Sequence, residues 1–163
     1  MNVERIKILL TLAFLFAVSN VYAADENKGA ETLSPELRAL LQQEMLAIDA
    51  GMKAIVDFNA AGDTQQISKV AKQMQASFVL KKNLTPTQRK ELHNKLTADF
   101  IQQDEAFHYN AGMLAHAAEK NKTELMGFYY GKLFDACASC HQAHAQHRFT
   151  HFDIDVKTNL HEH

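Results

Sequence analysis

From Leu37 to Ile55 the large apolar side chains Leu37, Leu41, Met45, Ile48, Met52 and Ile55 fall four or three residues apart. That spacing collects them on one stripe of an α-helix, and such a stripe must be laid against other helices. Ser34-Pro35-Glu36 supplies the start, with a cap residue, a proline at the first position and an acid in the first turn. Ala60-Ala61-Gly62 supplies the stop. The same grammar then repeats. Asp63 with Gln66 makes a capping-box start, followed by the stripe Ile67, Val70, Ala71, Met74 and Phe78 and an end at Lys81-Lys82-Asn83. Thr85-Pro86-Thr87-Gln88 opens another helix, and nothing strong interrupts the pattern from there to Glu119. That run is too long to match its partners. Asp99 with Gln102 offers a second cap, so the pattern predicts a short helix over 86–97 and a long one over about 99–120. The long helix should bury Phe100, Phe107, Ala111, Leu114 and Ala118. Asn121 with Glu124 is expected to cap a last helix, whose stripe is Leu125, Tyr129, Leu133, Ala136 and Cys140. Only Phe152 to Val156 alternates with period two. The predicted fold class is all-α: an antiparallel up-down-up-down four-helix bundle over 34–148, with a tail over 149–163 that carries His151, His161 and His163.

The first 23 residues do not belong to that bundle. Arg5 and Lys7 precede an apolar run from Ile8 to Val18, and Val21-Tyr22-Ala23 closes it with small residues at the two usual positions. This reads as a secretory signal peptide cleaved after Ala23, about half the length needed to span a bilayer. Residues 24–33, ADENKGAETL, read as a flexible leader. Removing the signal takes away Glu4, Arg5 and Lys7, so the net charge moves from −2 to −3. A nearly neutral chain lacks the basic stripe that nucleic acid requires. No second candidate span is present, which argues against stable membrane insertion. The expected location is periplasmic.

Cys137 and Cys140 are the only cysteines, and they sit in "CASCHQAH" with His141 directly behind them. A disulfide across so small a loop gains little as a staple, so the pair points to chemistry. C-x-x-C-H is the attachment pattern for c-type haem. On a helix the three residues fall at i, i+3 and i+4, on one face. Two thiols can then add to the two vinyl groups of one haem while His141 meets the iron. A thioredoxin-like dithiol wants a βαβ setting, which is missing. A zinc site would need more ligands. His144 or His147 could serve, but one helix cannot wrap four of them around an ion.

At these residues the sequence resembles the cytochrome c′ family, the class II c-type cytochromes. A secreted helical bundle with one C-x-x-C-H near its C-terminus is similar to that family over roughly residues 34–148. The likeness is strongest in "DFIQQDEAFHYNAGMLAHAAEKNKTELMGFYYGKLFDACASCH" and extends to "EMLAIDAGMKAI" in the first helix. One position departs. Where the family carries an aromatic and then a basic residue three and four places after the haem histidine, this chain has His144 and Ala145. Arg148 follows, one turn further along the face of His141. Residues 80–98 match no pattern of the family.

The resemblance implies one covalently attached haem c per chain, with Cys137 and Cys140 as thioethers and His141 as proximal iron ligand. It implies no enzymatic turnover. Members divide on the far side of the iron. In low-spin members a Met from the first helix ligates and the protein carries electrons between periplasmic redox partner proteins. In others an apolar residue leaves the iron five-coordinate to bind NO or CO. In an up-down-up-down bundle the first and last helices pack antiparallel, so the partner of His141 should lie two to three turns into the first. Met45, ten residues after Pro35, fits that depth, and the family's first helix puts it at the same place. Met52, about 10 Å deeper, is the second candidate. Met45 also sits on the apolar stripe, where Met commonly fills a bundle core.

Among the other residues, His144, His147 and His151 are read as a solvated face. His93, His108 and His116 lie in helices, with His108 a candidate haem neighbour. Met74, Met113 and Met126 are read as core or surface, and Phe107, Tyr129, Tyr130 and Phe134 as haem-pocket or core packing. A peroxidase would want a distal His or Arg near Met45, and the first helix has neither there. A homodimer through the first two helices is an arrangement the family uses. The expected protein is a periplasmic one-electron carrier, closer to the low-spin members; a five-coordinate gas binder is the alternative.

Overall fold

A computed structural model describes residues 28–77 and 84–153. The expected signal peptide, the first four residues of the leader, Phe78, Lys81-Lys82-Asn83, Val156, His161 and His163 lie outside the described residues. Among those described there are five α-helices and no strand: α1 Pro35–Ala60, α2 Thr64–Ala76, α3 Pro86–Lys95, α4 Ala98–Glu119 and α5 Thr123–His144. Short 3₁₀ turns span Ala30–Thr32 and Thr150–Asp153. No helix here is long and apolar enough to cross a membrane.

The helix ends follow local chemistry. After α1, Gly62 takes a left-handed φ of 71°. Its N–H donates to Asn59 O at 3.1 Å, and Asp63 N–H to Phe58 O at 2.9 Å. These are the two bonds of a Schellman motif, which satisfies the last carbonyls of a helix. Asp63 then caps α2, accepting from Gln66 N–H at 3.0 Å. Thr85 and Gln88 form a full capping box at the start of α3.

Three expected caps are corrected. Ser34 makes no side-chain cap; its backbone N–H instead donates to Glu91 Oε1 on α3, at 2.5 Å. Thr97, not Asp99, caps α4, accepting from Phe100 N–H at 3.0 Å, and Asp99 falls in the first turn. Asn121 does not cap α5. It ends α4 with a φ of 52°, in a second Schellman motif whose bonds run from Asn121 N–H to Ala118 O and from Lys122 N–H to Ala117 O. Asn tolerates the left-handed region better than other residues with a Cβ. Its Oδ1 accepts from Thr64 Oγ1 at 2.8 Å, tying the α4–α5 turn to the start of α2.

The closest helix packing is α2 on α4, α4 on α5 and α1 on α2. At Gly51 a Cβ would lie 2.8 Å from Met74 Sδ, so the missing side chain lets α1 and α2 approach. The main core joins Ile48, Met52 and Ile55 of α1, Ile67, Ala71 and Met74 of α2, Phe107, Ala111 and Leu114 of α4, and Met126 and Leu133 of α5. A second core sits where α3 covers the start of α1, built from Leu33, Leu37, Leu84, Leu92, Leu96 and Phe100. All five side chains expected to be buried in α4 are buried.

The stripe of α5 is rotated from expectation. Leu125 is 48% exposed, and Met126 takes its place in the core at 5%. Counting back from Leu133 at about 100° per residue, Met126 returns to within about 20° of its direction and Leu125 misses by about 80°. Phe134, expected in the interior, is 65% exposed. The expected close packing of the first and last helices also differs. The backbones of α1 and α5 are not among the closely packed pairs, and they meet through side chains, with Tyr130 Oη donating to Met52 O at 3.4 Å.

Candidate functional site

Cys137, Cys140 and His141 lie in the last two turns of the unbroken helix α5. All three are half-buried, and both cysteines are free thiols. Cys137 packs on the main core, in the same surroundings as Met45, Tyr129 and Tyr130. Cys140 packs on the second core beside Leu40, Leu41 and Ile101. The pair therefore spans the two cores, with one thiol packed against each. Met45 is half-buried; Met52 is buried at 8%.

Burial, with Asp104 nearby, pushes the Cys140 thiol up to about 11. Burial also raises Cys137, and Asp49 adds to it. Both thiols stay protonated at neutral pH, the opposite of the thiolate that a dithiol oxidoreductase needs. Burial lowers the pKa of His141, keeping its imidazole neutral and its lone pair available to a metal. The ring of His141 lies flat on Phe149, with centroids 4.2 Å apart and planes 6° from parallel. That stack is made because the chain turns at Ala145, where Phe149 N–H donates to the carbonyls of Ala145 and Gln146. The first residues of the expected tail thus fold back onto the motif.

The same turn corrects the placing of Arg148. Helix α5 ends at His144, so Arg148 lies in the turn and not on the helix face of His141. His144 is engaged: its Nε2 lies 3.1 Å from Asp99 Oδ2 and its ring meets Phe100 edge-on at 5.3 Å. His147 and His151 are exposed, as is His93, and His116 faces Glu119 at 3.9 Å.

A second cluster lies in the interior, and the sequence reading missed two of its members. Glu44 is 2% exposed, His108 3% and Asp104 9%. His108 Nδ1–H donates to Met74 O at 2.8 Å. Its Nε2 faces Glu44 Oε1 at 3.3 Å and Asp104 Oδ1 at 3.6 Å. Burial works to lower the pKa of His108, but Asp104 and Glu44 outweigh it and raise the value to about 9. In the metal-free protein the raised value favours the charged imidazolium, flanked by the two carboxylates. A signal was present in the sequence. Glu44 lies one place before Met45, within the apolar stripe, and Asp104 precedes His108 by one turn between Phe100 and Phe107. A charge on an apolar face is worth a partner search.

No protein-family model, curated protein or solved structure matches the chain.

Proposed function

We propose that the chain is an exported monohaem c-type cytochrome that carries one electron at a time between periplasmic redox proteins. The observation that carries this reading is the arrangement of Cys137, Cys140 and His141: two protonated, half-buried thiols one turn apart on an unbroken helix, with a neutral imidazole beside them. Those are the residues and states suited to two thioether bonds and one axial nitrogen. The bound haem c supplies the Fe(III)/Fe(II) couple. The chain's part is to anchor the ring through Cys137 and Cys140, to present His141 and to surround the group with apolar side chains.

Met45 is the proposed second axial ligand. Its support is placement: it is half-buried on the α1 side of the same core that Cys137 packs against. A thioether in that position raises the reduction potential and closes the iron to gases. In this reading α1, α2, α4 and α5 form the up-down-up-down bundle, and α3 is an excursion between the second and third of them that covers one end. Absorption spectra of the purified holoprotein test the reading. Covalent haem that is low-spin and indifferent to CO supports it. A high-spin haem that shifts with CO replaces it with the five-coordinate gas binder. Protein matured with haem available that carries none overturns it.

A further inference from the structure

We propose that Glu44, Asp104 and His108 form a binding site for one divalent transition-metal cation of the zinc class. The proposal does not depend on the haem. The donor set, one imidazole nitrogen with two carboxylates, is of the type that holds zinc and its neighbours. The spacing also fits. In a tetrahedral site with bonds of about 2.0–2.2 Å, ligand atoms lie about 3.3–3.6 Å apart. Nε2 of His108 lies 3.3 Å from Glu44 Oε1 and 3.6 Å from Asp104 Oδ1, and the three donor atoms fall within 4.8 Å of one another. The remaining edge, between the carboxylates, is no longer than 4.8 Å.

Two further features support the site. The hydrogen bond from Nδ1–H to Met74 O fixes the ring so that Nε2 is the atom turned to the carboxylates. A carbonyl behind the far nitrogen is the usual way a metal-binding histidine is oriented. Glu44 and Asp104 also border a cavity of about 10 Å³ whose lining is otherwise apolar, with Leu37, Leu41, Leu92 and Phe100 among its walls. That is about the room one water needs. A three-residue site leaves its fourth position for a water. Binding exchanges the Nε2 proton for the ion and releases the proton to solvent. The ion would join α1 to α4 directly and, through Met74, to α2.

The test uses the full-length protein, stripped with a chelator and titrated with Zn²⁺ against a chromophoric competitor, with zinc per chain counted by elemental analysis. A control carrying His144→Asn, His147→Asn and His151→Asn removes the exposed histidines near the C-terminus. The proposal expects one equivalent held by both wild type and control, and an affinity lower by roughly tenfold or more in Glu44→Gln and in Asp104→Asn. Should those variants fail to fold, hydrogen exchange of the wild type decides, because zinc must slow the amides of 104–108. No zinc retained by the control, equal affinity in folded Glu44→Gln, or unchanged exchange at 104–108 each overturns the proposal and leaves the triad an internal ion pair.

Discussion

The imidazole of His141 and the ring of Phe149 are stacked within 6° of parallel, 4.2 Å between centroids. A ring stacked on a histidine limits its rotation and shields it from water. In the haem-free protein, Phe149→Ala is therefore expected to raise the His141 titration midpoint toward its ordinary value, since burial is what lowers it. NMR titration of the ring protons checks this. An unmoved midpoint would show that Phe149 contributes nothing to the burial.

Met52 belongs to the main core and Met45 packs against it, and only Met45 is proposed to reach the iron. In the holoprotein, Met45→Leu should turn a six-coordinate haem into one that takes CO, while Met52→Leu leaves the spectrum unchanged. The reverse pattern would assign the ligand to Met52.

The rotated stripe of α5 separates two leucines of similar size. Leu133 is fully buried and Leu125 is about half exposed. Leu133→Ala should cost about 2–5 kcal/mol of unfolding free energy. Leu125→Ala should stay within roughly 0.5 kcal/mol. Urea unfolding followed by circular dichroism reads both, and equal losses would contradict the register.

His108 sets a pH dependence in the metal-free protein. Its folded pKa, about 9, lies above the unfolded value of 6.5. The imidazolium thus contributes stability that is fully present below about pH 6.5 and is lost as pH rises through about 9. The size is on the order of 3 kcal/mol at most. Urea midpoints between pH 6 and 10 should fall, and His108→Asn should flatten that part of the profile. A midpoint that holds steady between about pH 6.5 and 9 would contradict the raised value.

The helices were legible because stripes and breakers are local. Pro35, Gly62 and the Thr85–Gln88 box each mark an element end within two residues, and the α4 core was read side chain by side chain. The misreadings came from signals with two local meanings. Asn121 serves as an N-cap in one backbone conformation and as a left-handed C-terminal stop in another, and its bond to Thr64 Oγ1 comes from a distant helix. At Leu125 and Met126 both residues are apolar, so only the contact with α4 chooses between them. At the candidate site, the motif of Cys137, Cys140 and His141 is contiguous and easily read. The Glu44–Asp104–His108 group joins Glu44 to two residues 60 or more positions further on, and no periodicity links a glutamate on one helix to a histidine on another.

The central claim is a covalent, six-coordinate haem held by Cys137, Cys140, His141 and Met45. The most direct test is the absorption spectrum of the purified holoprotein: oxidised, reduced, and reduced under CO. The account predicts a c-type spectrum that is low-spin in both oxidation states and does not move with CO. A high-spin spectrum that shifts with CO would contradict Met45 as a ligand, and a protein matured with haem available but lacking haem absorbance would contradict the account as a whole.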